Sequence, residues 1–354
     1  MVQRNRLSNP RKLLVSAANW IGDAVMSVPA LEALRKCYPG AEIVLLAKPW
    51  VSELYWSHPA ASRLIIYDPD GEHAGPRGFW KIVQALRSER FEAAILFRNS
   101  FHSAWMAWCA RIPARVGYAR DCRSALLTDG IEAPPAAAYG HQSSYYLQLL
   151  FRAGLIEKPE PVQSVRLVVS DAEKKWAEKR LESLGLQGRR FLVGLNPGAS
   201  FGPAKRWLLE RFADLADRLV GGLQADVLIF GSRDEKPLAE EVTKEMKQKS
   251  TVLAGETTLR QLMALLSRCS LVVTNDSGPM HLAAALGLPL VAIFGSTDER
   301  ATGPLGPHTR IVKRPVSCSP CGLRECPIDF RCMTGVSVDD VYRAALELVK
   351  ETKA

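Results

Sequence analysis

The 354-residue sequence lacks the features of membrane-spanning and secreted proteins. No apolar run reaches the roughly 18 residues that a spanning helix requires. The basic start, residues 1–6, is followed by a short apolar run, Leu13 to Val15, which soon meets Asn19 and Asp23. No small-residue cleavage site closes this run, so no signal peptide is predicted. We therefore predict a cytoplasmic protein that touches a membrane at most from its surface.

The signatures of three ligand classes are also missing. A single glycine, Gly22, follows the first predicted strand instead of the three-glycine dinucleotide fingerprint, which disfavours a nicotinamide enzyme. The loop at 196–200 lacks the Gly-Lys-Ser/Thr of a Walker motif. Four of the eight cysteines form a C-x2-C-x4-C-x5-C segment without the paired spacing of structural zinc sites. We do not expect zinc there, although zinc, a redox pair and plain thiols all stay open. These cysteines are Cys318, Cys321, Cys326 and Cys332.

The composition is that of a globular protein, with 47% hydrophobic and 23% charged residues. The length predicts two domains of about 150 residues each. Apolar runs alternate with amphipathic stretches in both halves, which predicts an α/β protein with two doubly wound, Rossmann-like domains. Two such domains facing each other would bind ligands in a central cleft at the carboxyl ends of their strands. Strands are predicted at Lys12–Ala17, Glu42–Leu46, Leu64–Tyr67, Ala93–Phe97, Phe191–Leu195, Asp226–Phe230, Ser270–Thr274 and Leu290–Phe294.

A polar, charged stretch between the two halves predicts the domain boundary. We place the N-terminal domain at 1–170, a linker at 171–190, the C-terminal domain at 191–336 and a final helix in 337–354. The net charge of +9 favours an anionic partner, such as a phosphate-bearing ligand, an anionic membrane or a nucleic acid. Single-stranded nucleic acid is disfavoured because aromatic and basic residues do not alternate. A basic surface without a specific partner stays open.

Two polar loops of the second half could hold a phosphate. Asp276 or Ser277 can cap the Ala-rich helix that follows a buried strand, and Gly278 permits close approach of a ligand to the free N–H groups. Plain capping of a buried helix is the alternative. The loop 196–200 is followed by Lys205, and a lysine beside a Gly-containing loop suits a phosphate. A solvated basic loop is the alternative there.

Two polar segments of the first half could hold an acceptor. Asp23 follows the first strand, where a carboxylate can take a proton from an attacking hydroxyl, although it could also merely cap a helix. Arg98 and Asn99 end a strand, and a basic segment at 115–123, predicted as a loop, includes Arg120. These arginines could hold an acidic acceptor, and solvated arginines are an equally open interpretation.

Four motifs together resemble the ADP-heptose:lipopolysaccharide heptosyltransferases of glycosyltransferase family 9. They are Asn19 to Met26, Asn196 to Ala199 with Lys205 to Trp207, Asn275 to His281, and Phe294 to Asp298. The match runs in order over nearly the whole chain. The cysteine segment is similar to the second rather than the first heptosyltransferase of the inner-core pathway. One departure is Trp207-Leu208, where the family often has Trp-Pro.

The resemblance implies a GT-B fold whose N-terminal domain binds the acceptor and whose C-terminal domain binds ADP-heptose, with the final helix crossing back to the N-terminal domain. It implies inverting transfer of heptose from ADP-L-glycero-D-manno-heptose to the first heptose of the lipopolysaccharide inner core, on a heptosylated Kdo-lipid A acceptor. No metal is required, and Mg²⁺ is expected at most to stimulate. The enzyme would lie at the inner face of the inner membrane, whose anionic surface suits the positive charge.

Site residues carry over by position. Asp23 matches the general base, and Lys205 matches the lysine that binds the donor phosphates. The predicted donor-binding residues are Asn196, Gly198, Ser200, Lys205, Gly231, Glu235, Asp276, Ser277, Gly278, Pro279, Met280 and His281, with no metal ligand among them. The predicted acceptor-binding residues are Asn19, Gly22, Arg98, Asn99 and Arg120. The alternatives are a sibling enzyme with another acceptor, a non-transferring nucleotide-sugar enzyme such as an epimerase, and a basic binding module.

Overall fold

The computed structural model describes residues 7, 9–56, 58–135, 140–186, 188 and 191–353. The chain divides into two compact units, Met1–Val162 and Gln163–Ala354. Each unit contains a six-stranded sheet, and every strand pair in both sheets is parallel. This architecture confirms the predicted α/β class with two Rossmann-like domains. In the described part of the chain, no helix combines the length and apolar character that crossing a bilayer requires.

The first sheet has the strand order β3-β2-β1-β4-β5-β6. Its central strands are almost wholly apolar and buried because helices cover both faces of a parallel sheet. The strands are β1 Lys12–Ser16, β2 Glu42–Ala47, β3 Arg63–Ile66, β4 Ala93–Leu96, β5 Ala114–Tyr118 and β6 Asp129–Ile131. The helices are α1 Ile21–Cys37, α2 Pro49–Ser52, α3 Gly75–Ser88, α4 Phe101–Cys109 and α5 Gln142–Arg152, with 3₁₀ turns at Glu53–Tyr55 and Ser124–Leu126.

The second sheet repeats this topology in the order β12-β11-β10-β7-β8-β9. The strands are β7 Leu192–Asn196, β8 Asp226–Ile229, β9 Ser250–Val252, β10 Leu271–Asn275, β11 Leu290–Phe294 and β12 Thr309–Lys313. The helices are α6 Asp171–Ser183, α7 Leu209–Leu223, α8 Lys236–Glu245, α9 Leu259–Leu266, α10 Gly278–Ala285, α11 Glu299–Thr302, α12 Arg331–Thr334 and α13 Val338–Lys353, with 3₁₀ turns at Pro203–Lys205 and Arg233–Glu235.

Each sheet reverses its direction of winding at one place. In the first sheet the reversal lies between β1 and β4, and in the second it lies between β7 and β10. Ligands of doubly wound sheets bind at this switch point, beyond the carboxyl ends of the strands. The polar loops after β1, β4, β7 and β10 therefore occupy the positions where each unit would bind a ligand.

The division between the units lies before the predicted linker at 171–190. The backbone N–H of Leu167 donates to the carbonyl of Ala285 at 2.9 Å, which joins the preceding extended segment to α10. Glu173 in the first turn of α6 is paired with Arg260 of α9 at 2.6 Å. These contacts place α6 with the second unit. Of the last four residues of the predicted linker, 187–190, only residue 188 lies within the described residues.

The final helix packs on the second unit. Its apolar face joins that unit's core beside α7, β11 and β12. The crossing of this helix to the N-terminal domain stays a prediction.

The prediction of a loop at 115–123 is wrong for the first part of this segment. Arg115 to Tyr118 belong to β5, where Val116 and Tyr118 are buried between β4 and β6. The first helix, α1, follows β1 after a loop of four residues. It starts at Ile21 and contains Pro29 in its interior. Asp23 consequently lies in the first turn of α1.

Candidate functional site

Asn275, the last residue of β10, fastens the loops at the switch point of the second sheet. It is fully buried, and its side-chain Nδ2 donates to the carbonyl of Pro197 at 2.8 Å. Its Oδ1 accepts from the backbone N–H of Trp207 at 2.9 Å. One side chain therefore holds both the loop after β7 and the segment that carries Lys205. Sequence reasoning placed Asn275 in a motif but gave it no role.

The predicted donor residues Lys205 and Asp276 form a buried ion pair. Lys205 Nζ lies 2.5 Å from Asp276 Oδ2, and the side chain of Asp276 is 3% exposed. Thr297 Oγ1 donates to the same carboxylate oxygen at 2.6 Å. Lys205 Nζ also lies 4.9 Å from the ring centroid of Phe201. The ammonium group is thus held at the switch point, and its charge is balanced by Asp276.

The start of α10 has free backbone donors. Its N-cap, Ser277, makes no capping hydrogen bond to the helix within the described residues. The Ser277 hydroxyl instead lies 3.2 Å from Thr274 Oγ1 and 3.4 Å from Asn196 Nδ2. Ser277 is one of the two residues predicted as able to cap this helix, and its side chain does not do so. The uncapped N–H groups and the helix dipole form a site that favours an anion.

Three buried polar side-chain atoms in the described residues have no hydrogen-bond partner. They are Asn196 Oδ1, Arg206 Nε and Ser296 Oγ. Asn196 is 2% exposed and Ser296 is 1% exposed. A buried polar atom without a partner costs about 1–3 kcal/mol, so such atoms are uncommon in a finished fold. Asn196 ends β7, Arg206 is next to Lys205, and Ser296 is next to Thr297, which donates to Asp276. A ligand that supplies their partners would recover this cost.

Gly198, Gly231 and Glu235 meet in the second unit. A Cβ atom at Gly198 would lie 2.3 Å from Glu235 Oε1, so the carboxylate lies directly against the loop after β7. A Cβ atom at Gly231 would lie 3.2 Å from the Cβ atom of Glu235. The backbone N–H of Ser232 donates to Glu235 Oε2 at 2.9 Å and fixes the carboxylate. The structure therefore brings these three predicted residues together.

The remaining predicted donor residues differ in exposure. Ser200 is exposed on its loop, whereas Met280 and His281 are buried within α10. Met280 is fully buried, so its side chain packs in the core. Gly278 and Pro279 form the first turn of α10 and are only half-buried.

In the first unit, Asn19, Gly22 and Asp23 lie after β1 and are half-buried. Asp23 is close to two buried tyrosines. Burial, and to a smaller extent the charge of Asp23, raise the pKa of Tyr55 to about 12, while a hydrogen bond from Ser27 opposes this rise. Burial and the same charge also raise the pKa of Tyr146. The carboxylate thus lies at the switch point of the first sheet, on a rigid helix start.

The loop after β4 is fastened by Arg123, which sequence reasoning did not single out. Its side chain is fully buried and donates to the carbonyls of Tyr118 and Arg98 and, at 2.8 Å, to Asn99 Oδ1. Asn99 Nδ2 in turn donates to Tyr145 Oη at 2.7 Å. Asn99 therefore belongs to an internal network. Burial lowers the pKa of Arg123 to about 10, although the charges of Tyr145 and Asp121 oppose this shift.

A depression opens at the carboxyl ends of β1, β2 and β4. Among the described residues that line it are Asn19, Lys48, Tyr67, Arg98 and His102. Arg120 does not line this depression and is exposed on the loop after β5. Sequence reasoning missed Lys48, Tyr67 and His102 because they belong to no recognisable motif.

The four clustered cysteines form no disulfide among the described residues. Cys318 and Cys321 are exposed, Cys326 is half-buried and Cys332 is buried. Burial, and then the neighbouring three thiols, raise the pKa of Cys332. Over the described ranges, no group of three or more His, Cys, Asp or Glu side chains is placed to hold a metal ion.

Known proteins are similar to this chain in sequence and in fold. The model of glycosyltransferase family 9 (heptosyltransferase) matches residues 79–330. Lipopolysaccharide heptosyltransferase 2 of Escherichia coli K12 is 34% identical over 314 residues, covering 85% of this chain and 88% of that protein. Lipooligosaccharide heptosyltransferase 2 of Haemophilus influenzae is 34% identical over 309 residues, covering 85% and 88%.

A solved structure extends this similarity to nearly the whole fold. That structure, E. coli ADP-heptose lps heptosyltransferase II, superimposes with a TM-score of 0.83 at 30% identity, covering 97% of this chain and 100% of that one. The predicted GT-B fold is confirmed by this match. The chain is a glycosyltransferase and belongs to glycosyltransferase family 9, the heptosyltransferases.

Proposed function

We propose that this glycosyltransferase transfers heptose, with inversion, from ADP-L-glycero-D-manno-heptose to the first heptose of the lipopolysaccharide inner core. Similarity to proteins named heptosyltransferase 2 supports the donor and the acceptor. The structural observation that carries the proposal is the set of three buried, unpartnered polar atoms around Lys205, Asp276 and the uncapped start of α10. This arrangement suits a ligand with several hydroxyl and phosphate oxygens.

The second unit would bind the ADP part of the donor. The N–H groups at the start of α10 and the ammonium of Lys205 are placed to bind the diphosphate, which would share Lys205 with Asp276. As the glycosidic bond breaks, negative charge grows on the departing ADP, and these same donors stabilise it. Glu235 can accept hydrogen bonds from ribose hydroxyls, since Ser232 already fixes its carboxylate.

The first unit would bind the acceptor and supply the base. Asp23 takes the proton of the acceptor hydroxyl as its oxygen attacks the anomeric carbon in a single displacement. Loss of ADP from the opposite face inverts the configuration. The heptosylated Kdo-lipid A acceptor is an anionic glycolipid, and no metal step is required.

Association with the inner face of the inner membrane is part of this proposal. On α4, Phe101, Trp105 and Trp108 are spaced to lie on one face, and Phe101 and Trp108 are largely exposed. Trp105 stacks on Phe79 of α3, and Trp80 beside it is also exposed. Aromatic side chains favour the bilayer interface, and a net charge of +9 favours anionic lipid. Replacing Trp108 by Ser should reduce co-flotation with anionic vesicles several-fold, and unchanged flotation would exclude α4 from the contact.

The function is tested by mass spectrometry of heptose transfer from ADP-heptose. One acceptor is Kdo-lipid A that already carries one heptose, and the other carries none. Product with the heptosylated acceptor alone supports the proposal. Product only with the acceptor that has no heptose would assign this enzyme to the earlier step. No product with either, together with normal ADP binding, would exclude both acceptors.

A further inference from the structure

The cysteine segment, residues 318–332, has no part in the function proposed above, yet its backbone is bound to two loops of the second unit. The N–H of Cys321 donates to the carbonyl of Ser296, in the loop after β11, at 3.0 Å. The carbonyl of Arg324 accepts from the N–H of Ala204, in the 3₁₀ turn that ends in the lysine of the buried ion pair, at 2.9 Å. The segment therefore lies directly against the loops that surround this pair.

A glycine permits the close approach of the segment to the loop after β7. A Cβ atom at Gly202 would lie 2.4 Å from the carbonyl oxygen of Arg324, so a larger residue would push the two backbones apart. This contact and the hydrogen bond from Ala204 fix the backbone of Arg324. The side chain of Arg324 is exposed and starts from this fixed position.

The side chain of Arg324 shares an aromatic ring with Lys205. The guanidinium carbon of Arg324 lies 5.3 Å from the ring centroid of Phe201, and Lys205 Nζ lies 4.9 Å from the same centroid. The face of an aromatic ring attracts cations. Phe201 therefore brings together two cationic groups that come from separate segments of the chain.

The two cations differ in how their charge is balanced. Lys205 is paired with Asp276 at 2.5 Å. Over the ranges that the structure describes, no carboxylate lies within ion-pair distance of Arg324, whereas Arg331 of the same segment is paired with Asp329 at 2.9 Å. Arg324 thus supplies unbalanced positive charge beside a pair whose own charges cancel. A ligand with more than one negative charge gains an attraction there that the pair alone does not provide.

We infer that Arg324 is a further donor-binding residue, whose guanidinium binds the diphosphate of the nucleotide sugar together with Lys205. The inference rests on the proposed function, because it takes the second unit to bind the donor. The fork of N–H donors on an arginine matches the oxygens of a phosphate group. Its charge also stabilises the negative charge that grows on the departing ADP. The cysteine segment then contributes to the reaction through its arginine.

The first test is calorimetric titration of the full-length protein with ADP. Arg324→Gln should weaken ADP binding about tenfold, because a charged hydrogen bond to phosphate is lost. Arg324→Lys should retain part of the affinity, since it keeps the charge but not the fork. The matched control is Arg331→Gln, which makes the same charge change in the same segment and should bind ADP as the unaltered chain does. Unaltered ADP affinity in Arg324→Gln, or an equal loss in Arg331→Gln, would overturn the inference.

A double-variant cycle tests whether the close contact at Gly202 positions the arginine. Gly202→Ala should weaken ADP binding several-fold in the otherwise unaltered chain, because its methyl group displaces the backbone of Arg324. The same substitution should have little further effect in Arg324→Gln, since the guanidinium is already absent. An equally large effect in both backgrounds would contradict this positioning.

A transfer assay separates the inference from the proposed function. Arg324→Gln should raise the ADP-heptose KM about tenfold and leave the acceptor KM unchanged. Heptose transfer with an unchanged donor KM in this variant would overturn the inference and leave the function standing. ADP binding that depends on Arg324, in a protein that transfers no heptose, would support the diphosphate contact and contradict the function. Unaltered thermal midpoints of the Arg324 variants show that they are folded.

Discussion

The two units share one sheet topology but differ in how they treat charge at the switch point. In the second unit, Lys205 and Asp276 balance each other in a buried setting, and three buried polar atoms of the described residues lack a hydrogen-bond partner. In the first unit, Lys48 and Arg98 are half-buried and lack a paired carboxylate in the described part of the chain. This difference shows that an empty ligand site can be recognised by two different features of the protein. A buried site leaves hydrogen bonds unmade, whereas an open site leaves charges unpaired.

The largest expected effect is a loss of turnover from a substitution in the first unit that leaves nucleotide binding by the second unit unaltered. Asp23→Asn should lower turnover by about 10²–10⁴-fold, because the amide cannot take the proton from the acceptor hydroxyl. ADP affinity should remain nearly unaltered, since the nucleotide is assigned to the second unit. Rapid-quench assays and ADP titration measure the two effects. Full activity of Asp23→Asn would remove Asp23 as the base.

The next effect breaks the charge balance of the second unit. Lys205→Met should destabilise the fold by about 3–5 kcal/mol, because it leaves the buried carboxylate of Asp276 without its partner. The double variant Lys205→Met/Asp276→Asn should regain most of this stability, but neither variant should regain donor affinity. Urea unfolding measures the stability of each variant, and ADP-heptose titration measures its donor affinity. If the double variant bound the donor normally, Lys205 would be a structural residue only.

A smaller effect concerns the close contact in the second unit. Gly198→Ala places a methyl group against the Glu235 carboxylate, which must leave its hydrogen bond to Ser232. We expect a loss of about 1 kcal/mol in stability and weaker donor binding. Adding Glu235→Ala should relieve the clash but not restore donor affinity. Calorimetry of both variants with and without ADP checks this. Unaltered donor affinity in Gly198→Ala would show that Glu235 does not contact the donor.

The smallest effect is a pH dependence in the second unit. Hydrogen bonds from Arg260, and then from Ser170, lower the pKa of Glu173 to about 2, although burial opposes them. A lowered folded-state pKa stabilises the protein above the ordinary glutamate pKa of about 4.3 and loses this contribution as the pH falls towards 2. Glu173→Gln should therefore flatten the decline in the free energy of unfolding between pH 5 and pH 3, measured by urea unfolding, by about 1 kcal/mol. An equally steep decline would place the acid sensitivity elsewhere.

The sequence predicts most of the strands, including the edge strand β3, but misses β5 and three edge strands. β1, β2, β4 and β11 are buried on both faces, so each appears as an unbroken apolar run. The missed strands at the sheet edges are short or half-exposed. β6, β9 and β12 include polar residues because one side meets solvent. A run without apolar character cannot be told from a loop.

The site residues also differ in whether the sequence could predict them. Loops directly after strong strands could be predicted to bind ligands, and they gave Asp23, Lys205 and Asp276. Residues that act only through distant neighbours could not. Arg123 looks like any loop arginine until its partners at 98 and 99 are seen. Lys48 and His102 are 54 residues apart and share a depression only because β2, β1 and β4 are neighbours in the sheet.

Trp207 donates two hydrogen bonds, one to a residue before α10 and one to a residue before α13. Its backbone N–H ends on Asn275 and its indole N–H ends, at 3.0 Å, on the carbonyl of Val336, just before α13. The ring itself is buried in the core of the second unit. This one residue is a brace between the donor loops and the end of the chain. A protein shortened before residue 336 would lose more than its last helix. The indole of Trp207 would also lose its acceptor, the carbonyl of Val336, so the donor loops would lose one of their supports.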